Sequence, residues 1–103
     1  MAVNTPIPRV TRVAITNADK QYLPELAAGD SDCSLEVTNE GTSTLYLLAT
    51  NSSAAATATN YTWLIPPAQS GVPTIKYIAR RPRCEIRGIG SATNGNAQLT
   101  EEF

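Results

Sequence analysis

The chain contains no histidine. That removes the commonest general base and metal ligand in one step. A serine triad of the usual kind is excluded, and two cysteines without histidine do not complete a usual zinc site. Aromatic residues are few, with one tryptophan, one phenylalanine and four tyrosines. Charged residues make up 17% of the chain, below the roughly 25% of an average soluble domain. No apolar run approaches the roughly 18 residues that span a membrane as a helix. The opening "MAVNTPIPR" has no apolar core of signal-peptide length, so the expectation is a protein made in a cytoplasm. Cys33 and Cys84 are then expected as reduced, small apolar residues rather than a disulfide. "NSS" at Asn51 and "NYT" at Asn60 match the glycosylation sequon only by chance in that setting.

What is present fits one domain of 103 residues with a single modest core, since a chain this long buries about 65% of its unfolded surface. No helical apolar period runs beyond about two turns. "QYLPELAA" (21–28) offers one turn, with Pro24 inside it. Elsewhere, short β-branched and aromatic runs are separated by turn residues. "RVTRVAIT" (9–16) sets Val13 and Ile15 on one face. "DCSLEVT" (32–38) alternates most clearly, with Cys33, Leu35 and Val37 inward. "NEGT" (39–42) reverses the chain into "TLYLLAT" (44–50), which is apolar on both faces and so reads as central. "YTWLIPP" (61–67) places Tyr61, Trp63 and Ile65 inward before a double proline. "TIKYIA" (74–79) sets Ile75 and Tyr77 on one face. "RCEIRGI" (83–89) sets Cys84 and Ile86 inward and Arg83, Glu85 and Arg87 outward. "AQLTEEF" (97–103) is a last strand or a tail, and Phe103 is either its frayed end or an anchor. Tyr46, Trp63 and Tyr77 are read as core residues that could alternatively anchor an interface.

The expectation is therefore an all-β fold, a single small antiparallel β-sandwich or barrel of about seven strands. Residues 1–10 form an extended N-terminal arm and 11–103 the domain. Pro6 and Pro8 exclude the arm from a central strand, while Ile7 and Val10 give it apolar groups to bury against a second subunit. The order Cys33, Trp63, Cys84 does not have immunoglobulin spacing, because the tryptophan follows the first cysteine too late.

Charge is uneven although the net charge is −1. Asp19, Glu25, Asp30, Asp32, Glu36 and Glu40 occupy the first half. Arg80, Arg81, Arg83 and Arg87 crowd one stretch of the second half. Either the two sets pair within the molecule, or they form opposite faces suited to a head-to-tail subunit contact. A basic strand beside Tyr77 is also a way to hold single-stranded nucleic acid. However, Glu85 lies inside the patch, no lysine supports it and the isoelectric point is near 5.3, all of which argue against that use. Arginine forks more naturally meet carboxylates at protein contacts, with Arg80 and Arg81 as rim charges. Asp30 and Asp32, with Asp19 nearby, are an ordinary acidic loop that offers only a weak Ca²⁺ or glycosidase pattern. "NSSAAATATN" (51–60) is a small-residue loop without bulk for its own core, expected to order against a neighbour. No cofactor, metal site or enzymatic activity is expected.

The run "CSLEVTNEGTSTLYLLAT", then "NYTWLIPP", then "IKYIARRPRCEIRGIGSA" resembles small virion proteins of tailed bacteriophages over residues 33–92. The likeness is one of rhythm: a strand ending V-x-N-x-G, a turn into LYL, a loop, IPP, and an I-x-Y-I strand. It implies a β-sandwich capsid decoration, or cement, protein on the outer surface of the virion. It also implies binding to the major capsid protein, homotrimer formation and an N-terminal arm that bridges neighbours. A head-fibre base or tail component is the alternative within the same group. A nucleic-acid-binding β domain, or a secreted adhesion domain with a Cys33–Cys84 disulfide, are the alternatives outside it. The contact residues expected on this reading are Ile7, Val10, Arg80, Arg81, Arg83 and Arg87, together with the loop 51–60. No catalytic residue comes with the resemblance; no membrane association is expected, on the net charge and the lack of an apolar run.

Overall fold

A computed structural model describes residues 8–103. The described residues form eight strands and no helix: β1 (Pro8–Ala14), β2 (Lys20–Leu23), β3 (Ser34–Asn39), β4 (Leu45–Thr50), β5 (Trp63–Ile65), β6 (Thr74–Ile78), β7 (Glu85–Gly90) and β8 (Asn96–Glu102). They build two four-stranded antiparallel sheets, β1-β8-β3-β6 and β2-β7-β4-β5. The fold is all-β and antiparallel, as expected, and of the expected sandwich or barrel its two four-stranded sheets are compatible with the sandwich, with one more strand than the sequence pattern suggests. The extra strand is β2, taken from the segment that offered a helical turn. Tyr22 and Leu23 are buried, and Pro24 stops the strand because it lacks an amide donor.

The arm expectation divides in two. Residues 1–7, including Ile7, lie outside the described residues. Pro8, Arg9 and Val10 belong to β1, where they pair with Glu102, Glu101 and Thr100. Pro8 is tolerated because β1 lies at the edge of its sheet among the described residues.

The core follows from alternation. Leu35 and Val37 of β3, Ala97 and Leu99 of β8, and Leu45 and Leu47 of β4 are fully buried, and so are Ile65 and Ile86. Each such Leu or Ile contributes about 1.5–3 kcal/mol relative to exposure. Val13, Trp63 and Ile78 pack on this cluster, partly buried. Gly88 is a packing requirement of the second sheet. A Cβ there would lie 2.7 Å from the Tyr22 ring and 2.8 Å from Leu47 Cδ2, so no larger residue fits. Opposite Arg87 and Ile86, β2 bulges between Gln21 and Leu23, and the Tyr22 ring within the bulge is buried. Burial drives the Tyr22 phenol up to about 12, and its hydroxyl has no partner among the described residues.

Register decides which side of β6 faces the core. Leu35, Val37 and Asn39 face inward, and they stand opposite Ile78, Lys76 and Thr74. Directly opposed residues share a face. Ile75 and Tyr77 therefore share the outer face with Thr38 and Glu36, so Tyr77 is exposed and not a core residue. Tyr61 is likewise exposed, because β5 begins only at Trp63.

Candidate functional site

The arginine-rich stretch leaves β6 in one sheet and becomes β7 in the other. Its first half is a crossover, where the period-two rule of a strand does not apply. Arg80 reaches Asp32 at 2.7 Å. Arg83, which precedes β7, meets the other oxygen of Asp32 at 3.0 Å and donates to the Ala27 carbonyl at 2.8 Å. The hydrogen bond from Arg83, followed by the charge of Arg80, holds the Asp32 carboxyl below its usual value. Arg87, on the outer side of β7, donates twice to Asp19 at 2.6 and 2.9 Å, and once to Glu85 at 3.3 Å.

Arg81 turns the other way. Only 1% of it is exposed, so it is no rim charge. Its backbone N–H donates to the Cys33 carbonyl at 2.8 Å, which draws the crossover onto the end of the sandwich. Its guanidinium donates to Glu101 at 2.7 Å and to the Pro24 and Cys84 carbonyls. Glu101, also 1% exposed, accepts in addition from Arg9 at 3.0 Å. Arg9 in turn lies 4.7 Å from the centre of the Phe103 ring, which makes the terminal residue an anchor rather than a frayed end. Bonding to Glu101 raises the Arg9 guanidinium further above its usual value. The buried Arg81–Glu101 pair, with the half-exposed Arg9 on its outer side, is costly to desolvate, yet breaking it by removing one partner costs about 3–5 kcal/mol.

The cysteines are free, Cys33 buried and Cys84 partly so. Burial, then the charge of Glu101, pushes the Cys33 thiol up, which is the opposite of what a nucleophile needs. Asp19 is a second hub. Burial pushes its carboxyl up, but the bond from Arg87, the N–H of Ala56 at 2.8 Å and the Arg87 charge together hold it below its usual value. Ala56 is fully buried and ties the small-residue loop 51–60 to its own molecule at that point, while most of the loop's other residues are exposed. Among the described residues, no three acidic or cysteine groups converge in a way that would hold a metal ion. Asp19 and Asp32 point at arginines instead.

The six expected contact residues are thus dispersed. Arg80 and Arg83 share Asp32 on the surface. Arg87 stands apart at Asp19. Arg81 is buried, Val10 is exposed on the outer face of β1, and Ile7 lies outside the described residues. Within the molecule, Asp19 and Asp32 of the acidic first half pair with Arg80, Arg83 and Arg87 of the second, and Arg81 pairs with Glu101. Sequence reasoning missed Glu101, although a signal existed. Ala97, Leu99 and Glu101 occupy alternate positions of one strand, so a strand burying the first two also buries the third and must supply it with cations. A polar cleft of about 350 Å³ lies at one end of the second sheet, lined by Gln21, Glu25, Thr50, Asn51, Ser53 and Glu85, with Pro24.

Comparison of the chain with family models, with curated proteins and with solved structures finds no match.

Proposed function

We propose that the chain is a non-enzymatic virion structural protein, a capsid decoration protein that binds the outside of the major capsid shell as a homo-oligomer, with a trimer as the working arrangement. The observation that carries the protein-contact part of this reading is the surface chemistry left over once the ion pairs are formed. All six arginines are engaged with carboxylates of the same chain. The most exposed large apolar side chains among the described residues are Val72, Tyr77, Ile75 and Val10. Neutralised arginines have little to offer a phosphate backbone, whereas exposed apolar groups on sheet edges suit contact with another protein. The capsid as the partner rests on the resemblance of residues 33–92 to small phage virion proteins.

In mechanism, a cement protein adds contact area. Weak contacts to several shell subunits become strong when one oligomer links them. Preferential binding to the assembled lattice then stabilises that lattice by mass action. The rigid sandwich supplies fixed geometry, and the low surface charge limits repulsion between closely spaced copies. The test uses shells of the encoding virus assembled without this protein. Adding the purified chain should give saturable co-sedimentation and a higher temperature of shell disruption. Protein that stays in the supernatant at every concentration overturns the capsid reading.

A further inference from the structure

Strand β6 pairs with β3 on one side and, among the described residues, with no strand on the other. Its outward backbone groups are open to a further strand. Its outer face presents Ile75 at 59% and Tyr77 at 62% exposure, and the turn leading into it presents Val72 at 66%. These are the three most exposed large apolar residues among the described ones. Between Ile75 and Tyr77, on the opposite face, stands Lys76. Every arginine of the chain has a carboxylate partner, and Lys20 lies over the Tyr22 ring at 6.0 Å. Lys76 alone among the cations has neither a hydrogen bond, an ion pair nor an aromatic face among the described residues.

We propose that β6 is a strand-addition edge for an extended segment of a partner protein that reads apolar–acidic–apolar. Residues opposed across two strands share a face. A segment docked on β6 therefore sets its two apolar side chains against Ile75 and Tyr77 on the outer face, and its carboxylate against Lys76 on the inner one. Backbone bonds supply the attachment, and the alternation selects the sequence. Charge directs the edge away from a second copy of this chain. The self-pairing that sets Ile75 of each copy against Tyr77 of the other also sets the two Lys76 side chains face to face, and like charges so placed repel. The other edge of the same sheet, β1, carries Arg9 and Arg12 and no acid. The lysine that discourages self-pairing thus favours a carboxylate-bearing partner.

The proposal rests on the protein-contact reading above but not on the capsid as partner. Its test titrates the isotope-labelled full chain with two synthetic heptapeptides, Thr-Thr-Val-Glu-Val-Thr-Thr and the same sequence with Lys for Glu. The Glu peptide should shift the amides of Thr74–Ile78 saturably. Lys76→Glu, an exposed change that leaves the fold intact by circular dichroism, should weaken that peptide by about tenfold and transfer the preference to the Lys peptide. Shifts that are absent, scattered over the molecule, or equal for both peptides overturn the proposal. So does concentration-dependent self-association that protects the β6 amides, which would give the edge to a second copy. Shell binding without a peptide effect removes the edge assignment alone. A peptide effect without shell binding removes the capsid reading alone.

Discussion

Residues 74–78 and 80–87 are neighbouring segments of the chain, and they differ in what they leave unpaired. The second is the most charged stretch of the protein, yet each of its arginines ends on a carboxylate of the same chain. The first carries one charge, and it leaves open its backbone edge, two apolar side chains and that one lysine. Charge density is therefore a poor guide to where this surface remains available. A guanidinium is satisfied by any carboxylate the fold brings within reach, and the fold brings Asp19, Asp32 and Glu101. An exposed Ile or Tyr on an edge strand has no such internal solution.

The contrast can be broken most severely at Glu101. Glu101→Gln should cost about 3–5 kcal/mol in urea denaturation, because Arg81 is left buried without its counter-charge. A loss below about 1 kcal/mol would mean that the crossover relaxes and lets Arg81 reach water. Asp19→Asn comes next. It removes the partner of Arg87 and weakens the acceptor for Ala56 N–H, and about 1–2 kcal/mol should be lost. Amide exchange should accelerate within 51–60 and stay unchanged in β6.

A smaller effect belongs to acid titration. The Asp19 and Asp32 carboxyls sit below their ordinary 3.8 in the folded protein. A lowered folded value means the pairs stabilise above pH 3.8 and are lost as the pH falls through the folded values. Asp32→Asn should remove its share of this acid sensitivity while leaving stability at pH 7 almost unchanged, since both arginines it holds are exposed. The smallest effect sharpens the other side of the comparison. Ile75→Thr and Tyr77→Thr should each change stability by no more than about 0.5 kcal/mol, while reducing the peptide-induced shifts described above. A large loss of stability would make these side chains structural and close the edge to any partner.

Much of the sandwich was legible because its strands obey a period of two. Leu35 and Val37, and Ala97 and Leu99, follow that period and are buried as it requires. The period was silent on two matters. It divides a strand into two faces without naming the inner one, so Tyr77 looked like a core residue until its register opposite Glu36 placed it outside. It also ends where the strand ends. Arg81, just before the strand, reads with Arg80 as a rim charge, whereas a crossover between sheets orients each side chain separately and buries Arg81. β2 was hidden for a related reason. A four-residue strand with a bulge in the middle has no room to display alternation. The arginine partners were unreadable individually, since Arg87 and Asp19 are 68 residues apart and Arg9 and Glu101 are 92 apart.

The position of β8 has a consequence for how the chain comes to be folded. β8 lies between β1 and β3 and, among the described residues, is the only strand that β1 pairs with. On a ribosome, β1 emerges first and waits for residues 96–102 before it has a neighbour. The second sheet needs nothing beyond residue 90. Synthesis thus delivers one half of the sandwich early and withholds the strand that closes the other half. Pairings this distant in sequence place the protein among slow folders, on the millisecond-to-second scale. Until β8 arrives, the apolar faces of β3 and β4 lack their full cover, and that interval is when a chain of this design is most exposed to aggregation.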